Sequence, residues 1–173
     1  QTASEYDAPI DDRCGTCTKC LDACPPQAFT APYVLNSTLC TSYQTIEKRG
    51  PLDENSNPEN WLYGCDICQQ VCPWNKSPNQ FLNEILFSGQ HPLDEMTLQN
   101  ILELTDETFK ILFKNSAAKR LKRKGFIRNA LTLWQLNPTL APAETINQLR
   151  NDTNEEIKTY AESAWQNIFS NLK

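Results

Sequence analysis

The 173-residue sequence lacks several features that would place it in a familiar class. No apolar run approaches the ~20 residues of a transmembrane helix, and no basic-then-apolar leader precedes the first cysteine, so neither a membrane protein nor a secreted one is predicted. The sequence begins with Gln1 rather than methionine, which we interpret as a processed product or, in preference, as an excised fragment. Residues 1–13 are expected to be a polar lead-in.

Cysteine is absent from residues 73–173, although eight cysteines lie between Cys14 and Cys72. Four disulfides in a small secreted scaffold would be one interpretation of so many cysteines. The cysteine-free part argues against it, because its Leu, Ile, Phe and Trp residues recur at helical spacing and can form a core without disulfides. We therefore expect free thiolates in a reducing cytoplasm.

Acidic residues are absent from the segment 114–128, although the whole chain has a formal net charge of −5. This basic segment, KNSAAKRLKRKGFIR, carries seven Lys and Arg residues. Surface helices often pair such charges with acids four positions away, and these residues have no such partner. A solvated helix face is the common explanation of a charge run, but a concentrated positive face on an acidic protein favours a polyanionic partner.

The stretch CGTCTKCLDACPPQA, which begins at Cys14, contains the spacing C-x2-C-x2-C-x3-C-P of bacterial ferredoxins. In that run three thiolates bind one 4Fe–4S cluster and the fourth binds a second cluster. Structural zinc sites use two separated pairs of cysteines, because a tetrahedral ion needs only four ligands. The motif therefore favours iron–sulfur over zinc.

A second copy of the motif, GCDICQQVCPWN, matches its last three cysteines and lacks the first. Cys40 is the one cysteine left over, so we assign it the missing position, with residues 41–64 inserted before Cys65. Cross-ligation then gives two complete ligand sets, and the predicted function is electron transfer. The first cluster has Cys14, Cys17, Cys20 and Cys72, and the second has Cys24, Cys40, Cys65 and Cys68.

The chain divides into two parts by periodicity. Residues 14–76 show little periodicity, which is typical of a module whose fold depends on ligation, and a helical pattern begins near residue 81. Thr153 and Glu156 form a predicted capping box at the start of the last helix. We predict a mainly α fold: a loop-rich ferredoxin-like module with two 4Fe–4S clusters, followed over residues 77–173 by a small helical-repeat (HEAT-like) array.

One histidine and three tryptophans have more than one interpretation. Trp74 could shield a cluster from water or pack in a core. His91, the one histidine, could ligate or relay a proton, but thiolates fill every ligand position, so we interpret it as structural. Trp134 and Trp165 are expected in the core, because their helical spacing argues against the exposure that stacking on bases requires.

The segments CGTCTKCLDACPPQA, CTSYQTIEKRG (40–50) and WLYGCDICQQVCPWN (61–75) together resemble the iron–sulfur domain of epoxyqueuosine reductases, cobalamin-dependent enzymes of tRNA queuosine synthesis. FKNSAAKRLKRKGFIRNA is similar to the family's segment after the clusters. The resemblance covers most of residues 10–134 and fades beyond Pro138 to a helical-repeat character. It implies two 4Fe–4S clusters here and cobalamin in the full-length enzyme.

In that family an N-terminal domain and the cluster domain cradle a base-off corrin, whose reduced cobalt takes the epoxide oxygen from epoxyqueuosine at the tRNA wobble position. The resemblance implies that the catalytic acid lies in an N-terminal domain missing from this sequence. We therefore expect no catalytic residue in this chain and no turnover by it alone. The resemblance also implies that the second cluster, through Cys40 and Cys65, lies beside the corrin and that Ser42 lines the corrin site.

The resemblance further implies that the polyanionic partner is tRNA, bound through its anticodon stem-loop. Arg49 corresponds to a position near the substrate RNA, although a solvated loop charge would be its plainer interpretation. Phosphate contacts are expected from five residues of the basic segment: Arg120, Lys122, Arg123, Lys124 and Arg128. We also expect an electron donor, not identified by the sequence, the missing cobalamin-binding domain as a partner, and a monomer.

Two other functions remain open at this point. A ferredoxin-type electron-transfer module of another corrinoid reductase, such as a reductive dehalogenase, would share the two-cluster layout, but a small-molecule reductase needs no polyanion-binding face. A zinc-stabilised RNA-binding module would share the basic segment. Analysis of bound metal separates the zinc alternative from the iron–sulfur ones.

Overall fold

A computed structural model describes residues 8, 11–52, 58, 60–75 and 92–169 of the chain. The described part is mainly helical and contains one small sheet, so the prediction of a mainly α chain is confirmed. Among the described helices, none has both the length and the apolar character needed to cross a membrane. His91 and the predicted onset of helical periodicity near residue 81 lie outside the described residues.

The described cysteine-bearing part contains only short elements, and the two strands pair as an antiparallel hairpin. In chain order these elements are α1 (Lys19–Asp22), β1 (Phe29–Ala31), β2 (Val34–Leu35), a π-helical turn (Tyr43–Glu47), α2 (Ile67–Gln70) and a 3₁₀ turn (Pro73–Asn75). Few of its described apolar side chains are buried, in contrast to the helical part. So small a core is typical of a module whose fold depends on ligation.

Helices α1 and α2 repeat the same local backbone. Each begins two residues after a motif cysteine and carries the next one, Cys20 or Cys68, at its second position. The residues before them, Thr18 (φ −114°, ψ 7°) and Asp66 (φ −115°, ψ 15°), have nearly the same conformation. Equivalent backbone hydrogen bonds then end both helices at the last cysteine of each motif. The two copies of the sequence motif are thus two copies of one structural unit.

The helical part is organised around one central helix, α5, which packs against α3, α4 and α7. Its described elements are a 3₁₀ turn (Pro92–Glu95), α3 (Leu98–Leu102), α4 (Asp106–Leu112), a 3₁₀ turn (Ala117–Leu121), α5 (Lys122–Leu136), a 3₁₀ turn (Pro138–Leu140), α6 (Ala143–Leu149) and α7 (Glu155–Phe169). The predicted helical-repeat array stays a prediction.

Aromatic side chains join the two parts of the chain at the core. Phe126 of α5 is fully buried, with ring centroids of Phe113 and Phe109 at 5.0 and 5.6 Å. Tyr63, from the cysteine-bearing part, stacks on Phe126 at 5.7 Å. Trp134 is buried and donates its indole N–H to the carbonyl of Ala141 at 3.0 Å, which confirms its predicted place in the core.

The start of α7 corrects one detail of the sequence analysis. The amides of Glu156 and Ile157 donate to the side-chain oxygen of Asn154, at 3.0 and 3.3 Å. Asn154 is therefore the N-cap, and the predicted capping box of Thr153 and Glu156 is wrong. Asn directly precedes the first helical residue, Glu155, where a short polar side chain reaches the second and third amides of the helix.

Candidate iron–sulfur and nucleic-acid sites

The thiols predicted for the first cluster surround a cavity of about 350 Å³. They lie on the first motif and at the end of the second, and Cys68 lines the cavity as well. The amide of Cys17 donates to the carbonyl of Cys14 at 2.9 Å, and Gly15, at φ +50°, permits this tight turn. Because Cys14 and Cys17 are exposed, one side of the group faces solvent.

Trp74 lies at the edge of this cavity rather than in the core. Its ring lines the cavity while remaining 60% exposed. The Arg13 guanidinium lies 5.5 Å from the ring centroid, and the indole N–H donates to the Arg13 carbonyl at 3.3 Å. Of its two interpretations, shielding of the first cluster fits this position, and packing in a core does not.

Two of the thiols predicted for the second cluster, Cys65 and Cys68, have the other predicted ligands nearby. Burial raises the pKa of Cys65, and nearby Cys40, Cys68 and Cys24 raise it further against an opposing backbone hydrogen bond. The pKa of Cys68 is raised by burial and by nearby Cys40 and Cys24 in the same way. All four thiols are half-buried. Such Coulombic effects weaken with distance, so the four thiols form one group.

Residues beside the thiols form hydrogen bonds to cysteines of both groups. The amide of Ala28 donates to the Cys24 sulfur at 3.3 Å. On the other side, the Asp12 carboxylate accepts from the Cys14 amide at 2.8 Å and from the Tyr33 hydroxyl. The bond from Tyr33 is the main cause that lowers the pKa of Asp12. Hydrogen bonds to ligands and their sulfurs orient a cluster and tune its potential.

The described residues include no group of three Cys, His, Asp or Glu side chains placed to hold a single metal ion. A zinc ion would bring its sulfur ligands to about 2.3 Å from one point. A 4Fe–4S cluster binds each thiolate at a different iron, so its ligands do not converge in this way. The eight cysteines match the number of thiolates that two such clusters need, with Cys68 lying between the cavity and the second group.

Arg128 is held inside the protein and does not fit the predicted phosphate contact. It is 4% exposed, and its guanidinium donates to the carbonyls of Gln44, Lys48 and Gly50 at 2.8, 2.8 and 2.9 Å. Two further bonds, at 3.0 and 2.9 Å, go to the side-chain oxygen of Asn129. These five bonds use all five guanidinium N–H donors, so Arg128 is a structural residue.

Arg123 also departs from its predicted role. It is 8% exposed, donates its Nε–H to the Leu104 carbonyl at 2.5 Å, and makes a bidentate contact with Asp152 at 3.2 and 2.5 Å. A phosphate would have to break this pair to reach the guanidinium. Burial and pairing therefore do not support the predicted tRNA contact of Arg123, and the residue joins α5 to the turn before α7.

The other predicted cations lie nearer the surface, some with acidic partners. Arg120 pairs with Glu47 at 3.0 Å, and Lys124 pairs with Glu156. Spacing along the helix could not reveal these partners, because they come from distant segments. Lys122 and Arg49 are exposed.

Arg49 also donates to the Ile46 carbonyl at 3.2 Å, and it lines a shallow cleft together with Lys124. The structure thus brings Arg49 and the basic segment to one surface. Ser42 is half-buried at the start of the π-helical turn, two residues after Cys40.

The segment between Cys40 and Cys65 is bound to α5 by side chains that the sequence analysis missed. The Asn129 amide donates to the carbonyls of Thr45 and Leu62, both at 2.8 Å. The Thr45 hydroxyl donates to the Thr41 carbonyl at 2.8 Å and accepts from the Gly64 amide at 3.0 Å. No local pattern signals Asn129, since its acceptors lie more than sixty positions away.

A family model described as a 4Fe-4S double cluster binding domain matches residues 13–75. This range contains all eight cysteines and both groups of thiols. The chain is therefore an iron–sulfur protein with a double-cluster domain.

Sequence similarity narrows this class to one group of relatives. The chain is 44% identical over 126 residues to the epoxyqueuosine reductase of Cellulophaga algicola and 45% identical over 127 residues to that of Leadbetterella byssophila. Each match covers 72% of this chain and 41% of the relative. The chain is a relative of epoxyqueuosine reductases, as its sequence motifs indicate, and it spans about two fifths of the length of the curated relatives it matches.

Solved structures give the same result for the fold. A crystal structure of epoxyqueuosine reductase with an epoxyqueuosine-modified tRNA-Tyr stem loop matches with a TM-score of 0.77 and 31% identity, over 95% of this chain and 44% of that one. The structure of epoxyqueuosine reductase from Streptococcus thermophilus matches with a TM-score of 0.70 and 28% identity, over 98% of this chain and 45% of that one. The similarity thus extends beyond the cluster domain into the helical part.

Proposed function

We propose that this chain is the electron-transfer and tRNA-docking part of an epoxyqueuosine reductase. The observation that carries the proposal is the division of the thiols into two groups. The thiols of the first set line a cavity, and in the second set nearby Cys40 and Cys24 add to the burial that raises the pKa values of Cys65 and Cys68. We propose the ligand sets Cys14, Cys17, Cys20 and Cys72 for the first cluster and Cys24, Cys40, Cys65 and Cys68 for the second. Similarity to epoxyqueuosine reductases favours this function over a reductive dehalogenase module.

The exposure of the thiols supports a direction for the electrons. Cys14 and Cys17 are exposed, whereas all ligands of the second cluster are half-buried. An external donor would therefore reach the first cluster more easily, and the second would pass the electron onward. Cobalamin, when bound in the proposed enzyme, would supply the reducing chemistry needed to remove the epoxide oxygen. Ser42 and Cys65 are the residues of this chain that we propose face the corrin.

The proposed tRNA contacts form a basic face made of Arg49, Arg120, Lys122 and Lys124. This set omits two buried arginines of the original prediction. The pair of Arg120 and Glu47 is exposed, with side-chain exposures of 66% and 36%, so it contributes little stability and can exchange for a phosphate. Phosphate contacts through such cations position a nucleic acid without reading its sequence. A related reductase bound to a tRNA stem loop supports the choice of partner.

Our proposal on catalysis is supported by the share of the relatives' length that the chain covers. The chain corresponds to about two fifths of those reductases, and we propose that its 173 residues deliver electrons and dock tRNA without completing the reduction by themselves. The monomeric state and the cytoplasmic location stay predictions, as does the identity of the electron donor.

Metal analysis after anaerobic reconstitution is expected to give about eight iron and eight sulfide per chain. The reason is that the proposed ligand sets place two four-iron clusters on the eight cysteines, none of which forms a disulfide. Iron, acid-labile sulfide and zinc are measured on the same sample. A result of roughly two zinc and no sulfide would instead indicate the zinc-stabilised RNA-binding module.

Lys122→Gln is expected to weaken binding of a tRNA anticodon stem-loop and to lower the slope of log K against log salt by about 1. Lys122 is exposed, so its loss removes a phosphate contact without disturbing the core. Binding is measured by fluorescence anisotropy over a series of salt concentrations.

The control is Lys158→Gln, which removes a half-buried cation outside the basic face, one paired with Glu155 at 2.6 Å. Its salt slope should equal that of the parent chain. Equal slopes for Lys122→Gln, Arg120→Gln and the parent would contradict docking of tRNA on the basic face.

A further inference from the structure

The insertion between Cys40 and Cys65 separates two proposed ligands of one cluster, which lie close together in the ferredoxin motif. In the first motif the first two cysteines are three positions apart, and one turn fixes their spacing. In the second, residues 41–64 separate them, so no local hydrogen bond can set the position of one thiol relative to the other. Something else must hold the two ends of the insertion together.

Thr45 provides the first link between these ends. Its hydroxyl donates to the carbonyl of Thr41, which follows Cys40 directly, and accepts from the amide of Gly64, which precedes Cys65 directly. Thr45 is fully buried, so both bonds are protected from water. A buried hydroxyl left without these bonds would destabilise the fold.

Asn129 of α5 provides the second link. Its amide nitrogen donates to the carbonyls of Thr45 and Leu62, which lie on the two sides of the insertion. Its oxygen accepts from Arg128, and this bond sets the orientation of the amide so that both of its N–H groups face the insertion. Arg128 then binds three carbonyls between residues 44 and 50.

We propose that Asn129, oriented by Arg128, is a positioning residue for the second cluster: it acts through Thr45 to place Cys40 and Cys65 as ligands. The inference rests on the proposed ligand set of that cluster. The helical part would then be needed to form the second cluster and not the first, because Cys14, Cys17 and Cys20 lie on one local motif and Cys72 lies just after the end of α2, which packs against α1. This explains how a distant cysteine replaces the missing motif position.

The test uses Asn129→Asp in the full chain after anaerobic reconstitution. Aspartate has the same shape, and one of its carboxylate oxygens can still accept from Arg128. The other oxygen replaces the amide nitrogen, so it faces the carbonyls of Thr45 and Leu62 without a proton to donate. Loss of iron from the second cluster to a chelator is expected to be about 10–100-fold faster, as for other residues that orient metal ligands. The first cluster should lose iron at the parent rate. Electron paramagnetic resonance of the reduced protein distinguishes the clusters.

A second variant and a control keep the result decisive. Thr45→Val removes both hydrogen bonds of the Thr45 hydroxyl and should show the same selective loss of iron from the second cluster. Because Thr45 lies outside α5, this variant tests the inference even if Asn129→Asp disturbs that helix. Asn115→Asp, at an exposed position, should match the parent. Parent-like iron loss in both test variants, or equal loss from both clusters in both, would overturn the inference. An error in the ligand set itself would appear separately, as two intact clusters in Cys40→Ala.

Discussion

Cys40→Ala should reduce the iron content of the reconstituted chain from about eight to about four per molecule. Cys40 lies with Cys24, Cys65 and Cys68, and it is absent from the residues that line the first cavity. Its removal leaves three thiolates for the second cluster and four for the first. Iron and sulfide analysis gives the loss, and electron paramagnetic resonance of the reduced protein shows which signal survives.

The reciprocal variant, Cys14→Ala, is the matched control for this experiment. Cys14 lines the first cavity and is exposed, so its loss should remove the other signal and leave the one that Cys40→Ala abolishes. Complementary spectra from the two variants would assign each signal to its cluster. Two intact clusters in Cys40→Ala would refute the ligand assignment, and loss of both would point to a general failure of folding.

The thiol groups could be predicted because their information is local. The spacing C-x2-C-x3-C-P fixes a short helix with a cysteine at its second position, and this unit recurs at α1 and α2 with nearly equal backbone angles. The leftover Cys40 could be assigned by elimination. The hydrogen bonds that hold the insertion next to Cys40 could not be predicted, since Asn129 and its acceptors Thr45 and Leu62 are brought together only by the fold.

The basic segment shows the opposite case, in which a local pattern misleads. Its cations have no acids at helical spacing, which indicated free charges facing solvent. In the folded chain Arg123 meets Asp152 and Lys124 meets Glu156, both from the region at and before the start of α7. Arg128 uses backbone carbonyls instead of acids. Composition identifies a cationic segment, but only tertiary packing decides which of its charges remain available for a phosphate.

Asp152→Asn is expected to destabilise the helical part by about 3–5 kcal/mol, because it leaves the buried guanidinium of Arg123 without its countercharge. Both side chains are only 10% exposed in the pair. For a chain of this length, the apparent Tm should fall by roughly 6–20 °C. Thermal unfolding followed by far-UV circular dichroism measures the change, with the cluster content held equal between samples.

The pH dependence of the stability difference between the parent and Asp152→Asn tests whether the charge of Asp152 causes it. Burial alone would raise the pKa of Asp152, but hydrogen bonds from Arg123 and the Asn154 amide outweigh burial and lower the pKa below its ordinary 3.8. A carboxyl whose pKa is lowered by folding stabilises the native state above the unfolded pKa and loses this effect as pH falls through the folded one. The gap between parent and variant should therefore be full above about pH 4–5 and narrow below it.

An exposed ion pair provides the control, because it shows how much stability is lost when a carboxylate is removed from a pair that is not buried. Glu155→Gln removes the carboxylate that pairs with Lys158 at 2.6 Å, where the two side chains are 81% and 37% exposed. Since exposed pairs contribute about 0–1 kcal/mol, its Tm should stay within a few degrees of the parent. Equal and small effects of both substitutions would mean that Arg123 finds water or another partner. Arg123 would then be free enough to bind a phosphate, which would support its predicted contact with tRNA.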